Sequence, residues 1–451
     1  MRKFAGGVLA PRHASGSLSM SRSIAARLKT AVAQQVLSLV LMVGFAVASA
    51  RWLGPAGKGM LTVVTSAGFV GASILGLGIP QALTAWVSGD RLSVRDALAM
   101  GLAFAGVVAI ITGLVTRLPL LASVEAVALL WLSMGLVLFE QVSCGISNGV
   151  GDLMPQLLLR IVGGGLQVVV MAAAWLAAVP ASLSAALAGY YIPGALGVLL
   201  ATFMLYRRNP GPRKSARELA ATVGPLAAFG MVVMPAQLLS VTNFKLDVLV
   251  LGALSGASEV GIYSVAVSAT LLVGMLPSAF GQALTRTFGE SKDPTPSLKR
   301  GIHASLVAGL VSAVVLAGAS WLLIPAVFGR AFAPASTLIA IMLPGTALFA
   351  TVQVSFPYFY NHLKRPIVHS LVIGVTAAVD VGVLIVLAPR YGATGAAVAS
   401  AFAYLVGSGL NLFVTARASN IPLLELVVPR NEDLVWMART TRRWLGRERP
   451  A

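Results

Sequence analysis

One apolar run after another, each about the 20 residues needed to cross a bilayer, fills this chain from end to end. Charged residues make up only 11% of it, against roughly 25% in a soluble domain, and mean hydropathy is +0.87. A water-soluble globule has no way to hide that much apolar side chain, so a soluble enzyme and a nucleic-acid factor are excluded. No polar segment is long enough to build a large extramembrane domain. The fold class expected is an all-α integral membrane protein of about twelve transmembrane helices. The runs are continuous rather than alternating, which argues against a barrel.

The spans fall at about 30–51, 60–87, 97–116, 124–147, 156–179 and 183–205, then 232–254, 260–285, 302–325, 335–359, 367–388 and 393–416. Charge position tests this layout. With the N-terminus inside, 26 of the 33 Lys and Arg fall on cytoplasmic segments, five on outer loops (Arg51, Lys58, Arg117, Arg330, Arg390), and Arg160 and Lys245 within spans. Cytoplasmic loops carry such an excess, so both termini are expected in the cytoplasm and the net charge of +18 needs no nucleic-acid partner. Residues 1–29 form a basic N-terminal segment. Followed by Ala48-Ser49-Ala50 they imitate a cleavable signal, but the leader is too long; Met20 is an alternative start. The tail, 417–451, mixes Leu, Val and Trp with seven basic residues and suits either a helix on anionic membrane lipid or a solvated tail.

The chain also repeats itself. Ala33-Gln34 recurs as Ala236-Gln237, Gly57-Lys58-Gly59-Met60 aligns with Glu259-Val260-Gly261-Ile262, and Gln81-Ala82-Leu83-Thr84 recurs as Gln282-Ala283-Leu284-Thr285. Six spans return the chain to the side it left, so the halves 30–205 and 232–416 are parallel repeats, expected to enclose a central cavity. Residues 206–231 are a basic linker whose end, 219–231, is expected at the membrane interface. The repeat then sets Lys245 opposite Met42, near mid-bilayer.

Ionisable groups at that depth cost at least about 2.5–3.5 kcal/mol each, which makes them functional candidates. They are Glu140, Arg160, Lys245, Asp247 and Asp380. Lys245 and Asp247 point about 200° apart on a helix, so each needs its own partner. Both, with Asn243, either line a cavity or serve structural and snorkelling roles. Glu140 and Arg160, on consecutive spans at similar depth, read as a structural ion pair. Asp380 carries a coupling proton or bonds a neighbouring helix. Gln34 and Gln237 stand at matched sites, where amides suit hydroxyl-rich ligands or join helices. Arg286 is at an inner mouth, as an anion's receptor or an ordinary anchor.

No phosphate-binding loop of the G-x-x-x-x-G-K type occurs. Gly145-Ile146-Ser147-Asn148-Gly149 fits a nucleophile pattern but follows an apolar span and lacks an acid–His context; it reads better as close helix packing. One cysteine, Cys144, and four scattered histidines offer neither disulfide nor metal cluster, so no metal and no cofactor is expected.

Arg51-Trp52-Leu53-Gly54-Pro55-Ala56-Gly57-Lys58-Gly59, then Leu77-Gly78-Ile79-Pro80-Gln81-Ala82, resembles the opening of bacterial Wzx-like polysaccharide flippases of the multidrug/oligosaccharidyl-lipid/polysaccharide (MOP) exporter superfamily. Lys245 to Gly252 followed by Val260-Gly261-Ile262-Tyr263-Ser264 resembles the start of their second half. Arg390-Tyr391-Gly392-Ala393-Thr394-Gly395 resembles the loop into their last span. The resemblance implies a non-enzymatic flippase of the bacterial cytoplasmic membrane. Its substrate would be an undecaprenyl-diphosphate-linked oligosaccharide for surface or exopolysaccharide (including lipopolysaccharide) assembly, with a polymerase and glycosyltransferases as partners. Lys245 and Arg286 would then meet phosphate, Gln34, Gln237 and Asn243 the sugars, and Asp247 or Asp380 a coupling H+ or Na+. Where Lys245 stands the family often has Arg, whose planar fork a lysine lacks. The alternatives are an ion-coupled drug or metabolite antiporter of the same superfamily, a membrane-embedded glycosyltransferase, and a non-transporting scaffold.

Overall fold

A computed structural model describes residues 17–115, 125–209, 211–291 and 293–429; side chains in 17–36, 125–132 and 239–244 and at 115, 236, 283, 286, 290 and 366 lie outside the description. So do most of the basic N-terminal segment, the tail beyond 429, and the side chain of Met20.

The first helix, α1 (Ser17–Leu75), holds spans one and two. At Gly54 (φ 65, ψ −177) the chain folds back, a backbone state that favours glycine, and Pro55 opens the return arm where an N–H would have no partner. The second half repeats the device: α8 (Ala216–Ser255) turns into α9 (Ala257–Thr270) at Gly256 (φ 92, ψ 167). Gly54 and Gly256 are 202 apart, the spacing at which Gly59 matches Gly261, so the repeat extends to backbone geometry. A third such turn, at Gly392 (φ 54, ψ −132), divides α14 (Pro366–Ser419) into spans eleven and twelve.

Between these lie α2 (Ile79–Ser88), α3 (Val94–Val115), α4 (Glu125–Val150), and α5 (Met154–Leu159), continued by a π turn over Arg160–Gly164 into α6 (Gly165–Leu176), then α7 (Leu183–Arg208). The second half continues with α10 (Met275–Glu290), α11 (Thr295–Phe328), α12 (Pro334–Phe349), α13 (Val352–Pro357) and, after α14, the short α15 (Leu423–Val427). Among the described residues nine helical stretches are long and apolar enough to cross a membrane. Two of them, Leu37–Leu75 and Ile367–Ser419, each hold a pair of spans about a glycine turn, and the 26-residue α4 supplies another, which accounts for all twelve.

Outward side chains such as Leu310, Val311, Val314 and Val315 of α11 and Leu199 and Phe203 of α7 are exposed. Lipid is as apolar as they are, so nothing drives them inward, and the helices are joined through small residues instead. Gly145 and Gly149 of α4 illustrate it. A Cβ on Gly145 would stand 2.4 Å from Thr84 Oγ1, and one on Gly149 2.7 Å from the Thr84 carbonyl, so α4 and α2 touch backbone to backbone as that spacing predicts.

Two details differ from the sequence reading. Residues 219–231 are helical and continuous with span seven: α8 runs unbroken for 40 residues, through Pro225 and Pro235, starting at a Ser215–Glu218 capping box. At 1.5 Å per residue that is about 60 Å, twice the hydrocarbon thickness. Lys58 is not on a loop, because the connection shrinks to the turn at Gly54; the lysine is buried in the return arm of α1.

Candidate functional site

The two halves meet face to face. At the end carrying the glycine turns, a Cβ on Gly59 would stand 1.6 Å from the Ala257 carbonyl, and one on Gly261 1.9 Å from the Pro55 carbonyl. The seam is therefore backbone against backbone, made by two glycines that the repeat places in equivalent positions. Arg51 reinforces it, donating from Nε to the Val327 carbonyl at 2.8 Å and from its terminal nitrogen to the Ala326 carbonyl. These carbonyls close α11, where a helix leaves acceptors unsatisfied and carries partial negative charge. At the opposite end, here the linker end, Gly78 and Gly230 are in similar backbone contact and the Gln81 amide donates to the Gln237 side-chain oxygen.

Between the two closures lies a cavity of about 330 Å³. Ser38, Leu39 and Met42 of α1 form its wall in the first half; Asp247, Thr270, Ser278, Thr346, Gln353 and Tyr404 are the polar groups facing it from the second. It is at the small end of ligand sites, so a bulky guest requires the halves to part. Its described lining holds one acid and no base.

Asp247 leads into a buried chain of oxygens. Tyr263 donates to Asp247 Oδ2 at 2.7 Å; its oxygen is 2.8 Å from Ser400 Oγ, and Ser400 is 3.2 Å from Asp380 Oδ1. The other Asp247 oxygen accepts the Val248 N–H at 2.7 Å. Three oxygen–oxygen links need three hydrogens, and the two hydroxyls supply two. With both acids ionised, one link would set bare oxygen against bare oxygen in a buried site. A proton on one carboxyl, or a cation shared among the oxygens, completes the chain. The chain draws on α8, α9 and both arms of α14, and Tyr263, at 0% exposure, is its hub.

Lysines come close from both halves. Lys58 donates to Ser49 Oγ at 2.9 Å, lies 5.0 Å from the centre of the Phe45 ring, and is within electrostatic reach of Lys245. Lys245 is likewise within electrostatic reach of Asp247, two residues on. It is half-buried, beside rather than in the cavity lining, and has no hydrogen-bond or ion-pair partner among the described residues. Sequence reasoning misplaced Lys58, whose position next to a glycine turn imitates a loop.

Of the other expected site residues, Gln237 is bound to Gln81 rather than open to a ligand. Asp380 is buried behind Ser400. Glu140 and Arg160 do not close an ion pair: the described pairs within reach are Arg208–Asp152 and Lys299–Glu425. The Arg160 charge still acts on Glu140, and both act on Tyr190 and Cys144, so the two groups lie within electrostatic reach without touching. The side chains of Gln34, Asn243 and Arg286 lie outside the described residues.

The sequence profile of polysaccharide biosynthesis proteins matches residues 28–292, more than half of the chain. The chain belongs to that family. No curated protein matches it by sequence. Among solved structures, the lipid II flippase MurJ in an inward closed conformation superposes with a TM-score of 0.70 at 12% identity, over 94% of both chains. An inward-facing multidrug resistance MATE family transporter of the MOP superfamily gives 0.62 at 14% identity, over 85% of this chain and 98% of the other. A MATE structure in complex with MaD3S gives 0.55 at 16%, over 86% and 96%. This member of the polysaccharide biosynthesis family thus has the twelve-helix fold of MOP transporters, two six-helix bundles about a central cavity, as the Arg51–Gly59 and Lys245–Gly252 motifs imply. The described structures it matches are transporters and a flippase.

Proposed function

We propose that this protein is a flippase of the bacterial cytoplasmic membrane, with both termini in the cytoplasm, that carries an oligosaccharide linked to undecaprenyl diphosphate between leaflets by alternating access. One observation carries the reading: a cavity bounded by both halves and lined by hydroxyls and the Gln353 amide, with Lys245 beside it, within electrostatic reach of Lys58 and Asp247. Hydroxyls and an amide suit sugars, and a lysine not held in a close ion pair suits a diphosphate crossing a low-dielectric region. Alternating access consists of breaking one closure while the other holds: the Gly59–Gly261 seam with Arg51, or the Gly78–Gly230 contact with Gln81–Gln237. The missing hydrogen in the Asp247–Tyr263–Ser400–Asp380 chain supplies a seat for a coupling H+ or Na+. Glycosyltransferases would furnish the cargo and a polymerase would receive it.

The test is headgroup exposure in reconstituted vesicles loaded with the lipid-linked oligosaccharide. Lys245→Ala and Asp247→Ala should each slow its appearance on the far leaflet at least tenfold. Parental rates in both variants would overturn the assignment.

A cavity whose described lining holds an acid and no base favours a second reading, an antiporter of cationic drugs or metabolites. Uptake of a lipophilic cation that is lost with Asp247→Asn, together with normal surface polysaccharide in a deletion strain, would establish it instead.

A further inference from the structure

At the linker end the two halves are finished differently. In the second half the chain itself fills the space left after span twelve: α15 tucks Leu426 fully inside, Glu425 pairs with Lys299 at 2.8 Å, and the His303 ring contacts the Glu425 carbonyl at 3.0 Å. In the first half the corresponding described residues after span six, 209 and 211–215, edge the helix ends without filling the space between them. It leaves a cavity of about 700 Å³.

That cavity draws basic side chains from three places in the sequence: Arg91 before α3, Arg208 ending α7, and Arg213 and Lys214 in the crossing segment. Three of these four side chains are held in place by a bond. Lys214 Nζ donates to the Arg91 carbonyl at 2.7 Å, Arg213 donates to the Tyr206 hydroxyl at 3.1 Å, and Arg208 pairs with Asp152 at 2.8 Å. The acids are largely engaged. Asp152 holds Arg208, and Asp96 accepts from the Ser93 hydroxyl at 2.8 Å and the Lys214 N–H at 3.2 Å, which leaves Asp90 against the charges of Arg91, Arg213 and Lys214. The Arg91 guanidinium has no acid partner among the described residues. A retention signal for the cytoplasmic side needs only scattered surface cations. Here they converge on a walled concavity, with a planar fork left open, which is the chemistry that recognises a phosphate group.

We propose that this cavity at the linker end of the first half binds a phosphate group, separately from the central cavity and whatever that cavity carries. The group comes from a soluble phosphate ester or from the headgroup of an anionic lipid in the adjoining leaflet, and the experiment distinguishes the two. The full chain is placed in nanodiscs of phosphatidylcholine, and its thermal transition is followed while inorganic diphosphate is added. The same measurement is made in nanodiscs containing phosphatidylglycerol. Loss of one charge-assisted hydrogen bond is expected to weaken binding about tenfold in Arg91→Ala and in Arg213→Ala. Arg213→Gln, which can keep the bond to Tyr206 without the charge, guards against a folding defect. Arg417→Ala removes an exposed cation from the second half and should bind as the parent does. Stabilisation by diphosphate with this variant pattern supports a soluble ligand; stabilisation by phosphatidylglycerol alone, with the same pattern, supports a lipid headgroup. Stabilisation by neither, or an equal loss in Arg417→Ala, overturns the proposal.

Discussion

Tyr263→Phe removes one oxygen from the centre of the second half while leaving the ring, which packs against Val260, Ala266 and the rest of the core, unchanged. The consequence follows from counting donors. Asp247 Oδ2 loses its 2.7 Å hydroxyl donor and Ser400 loses its 2.8 Å neighbour, in a site without exposure. A buried oxygen left without a donor costs about 1–3 kcal/mol, and more if it stays charged. Asp380→Asn is the informative companion. Its amide brings two hydrogens to the other end of the chain, so it supplies the donor that the two hydroxyls lack and should cost less than Tyr263→Phe. The assay is unfolding of the full chain in detergent, by temperature or denaturant, with parent and both variants side by side. The transition should fall in the order parent, Asp380→Asn, Tyr263→Phe. If Tyr263→Phe unfolds with the parent, or Asp380→Asn proves the more damaged, the reasoning from hydrogen count is refuted. In the proposed flippase, Asp380→Asn should also transport at a rate independent of the ion gradient, since the amide permanently occupies the place of the coupling ion.

A methyl group on Gly59 or Gly261 has no room, so Gly59→Ala and Gly261→Ala should force the seam open; in a Cys144→Ser background, a cysteine at buried Ala50 should react faster with a thiol reagent added from that side. Arg51→Ala frees the last carbonyls of α11 and should raise the same labelling rate, though less, because an exposed hydrogen bond is worth less than a backbone seam. Gly145→Ala should destabilise the first half by about 1–3 kcal/mol, with Thr84→Ala restoring part of the loss by removing the oxygen it strikes; additive losses in denaturation would contradict the packing geometry.

The spans, their number and the twofold repeat were legible because lipid imposes a composition on whole segments, and such a signal survives averaging over twenty residues. Gly145 and Gly149 were legible for a related reason, since small residues are how helices touch in an apolar solvent. Lys58 was not. A lysine beside Gly-Pro reads as a loop, and only the tightness of the turn at Gly54 places it inside the next helix. Span depth placed Glu140 and Arg160 within electrostatic reach of each other, but whether such groups close to ion-pair distance is a matter of tertiary contact. The part played by Tyr263 was hidden too: tyrosines in apolar spans are usually packing, and the route from it to Asp380 passes through Ser400, which is distant in sequence. Gln237 was recognised by matched position, but the partner of an amide is a matter of tertiary contact.

Span eleven and span twelve form a hairpin about Gly392, with Asp380 on its ascending arm and Ser400 on its descending one. The hydroxyl bonded to that carboxyl therefore works as a clasp. In the proposed flippase, a proton or cation in the gap of the oxygen chain would tighten the two arms against Tyr263, and its departure would loosen the hairpin and the helix bearing Asp247 together.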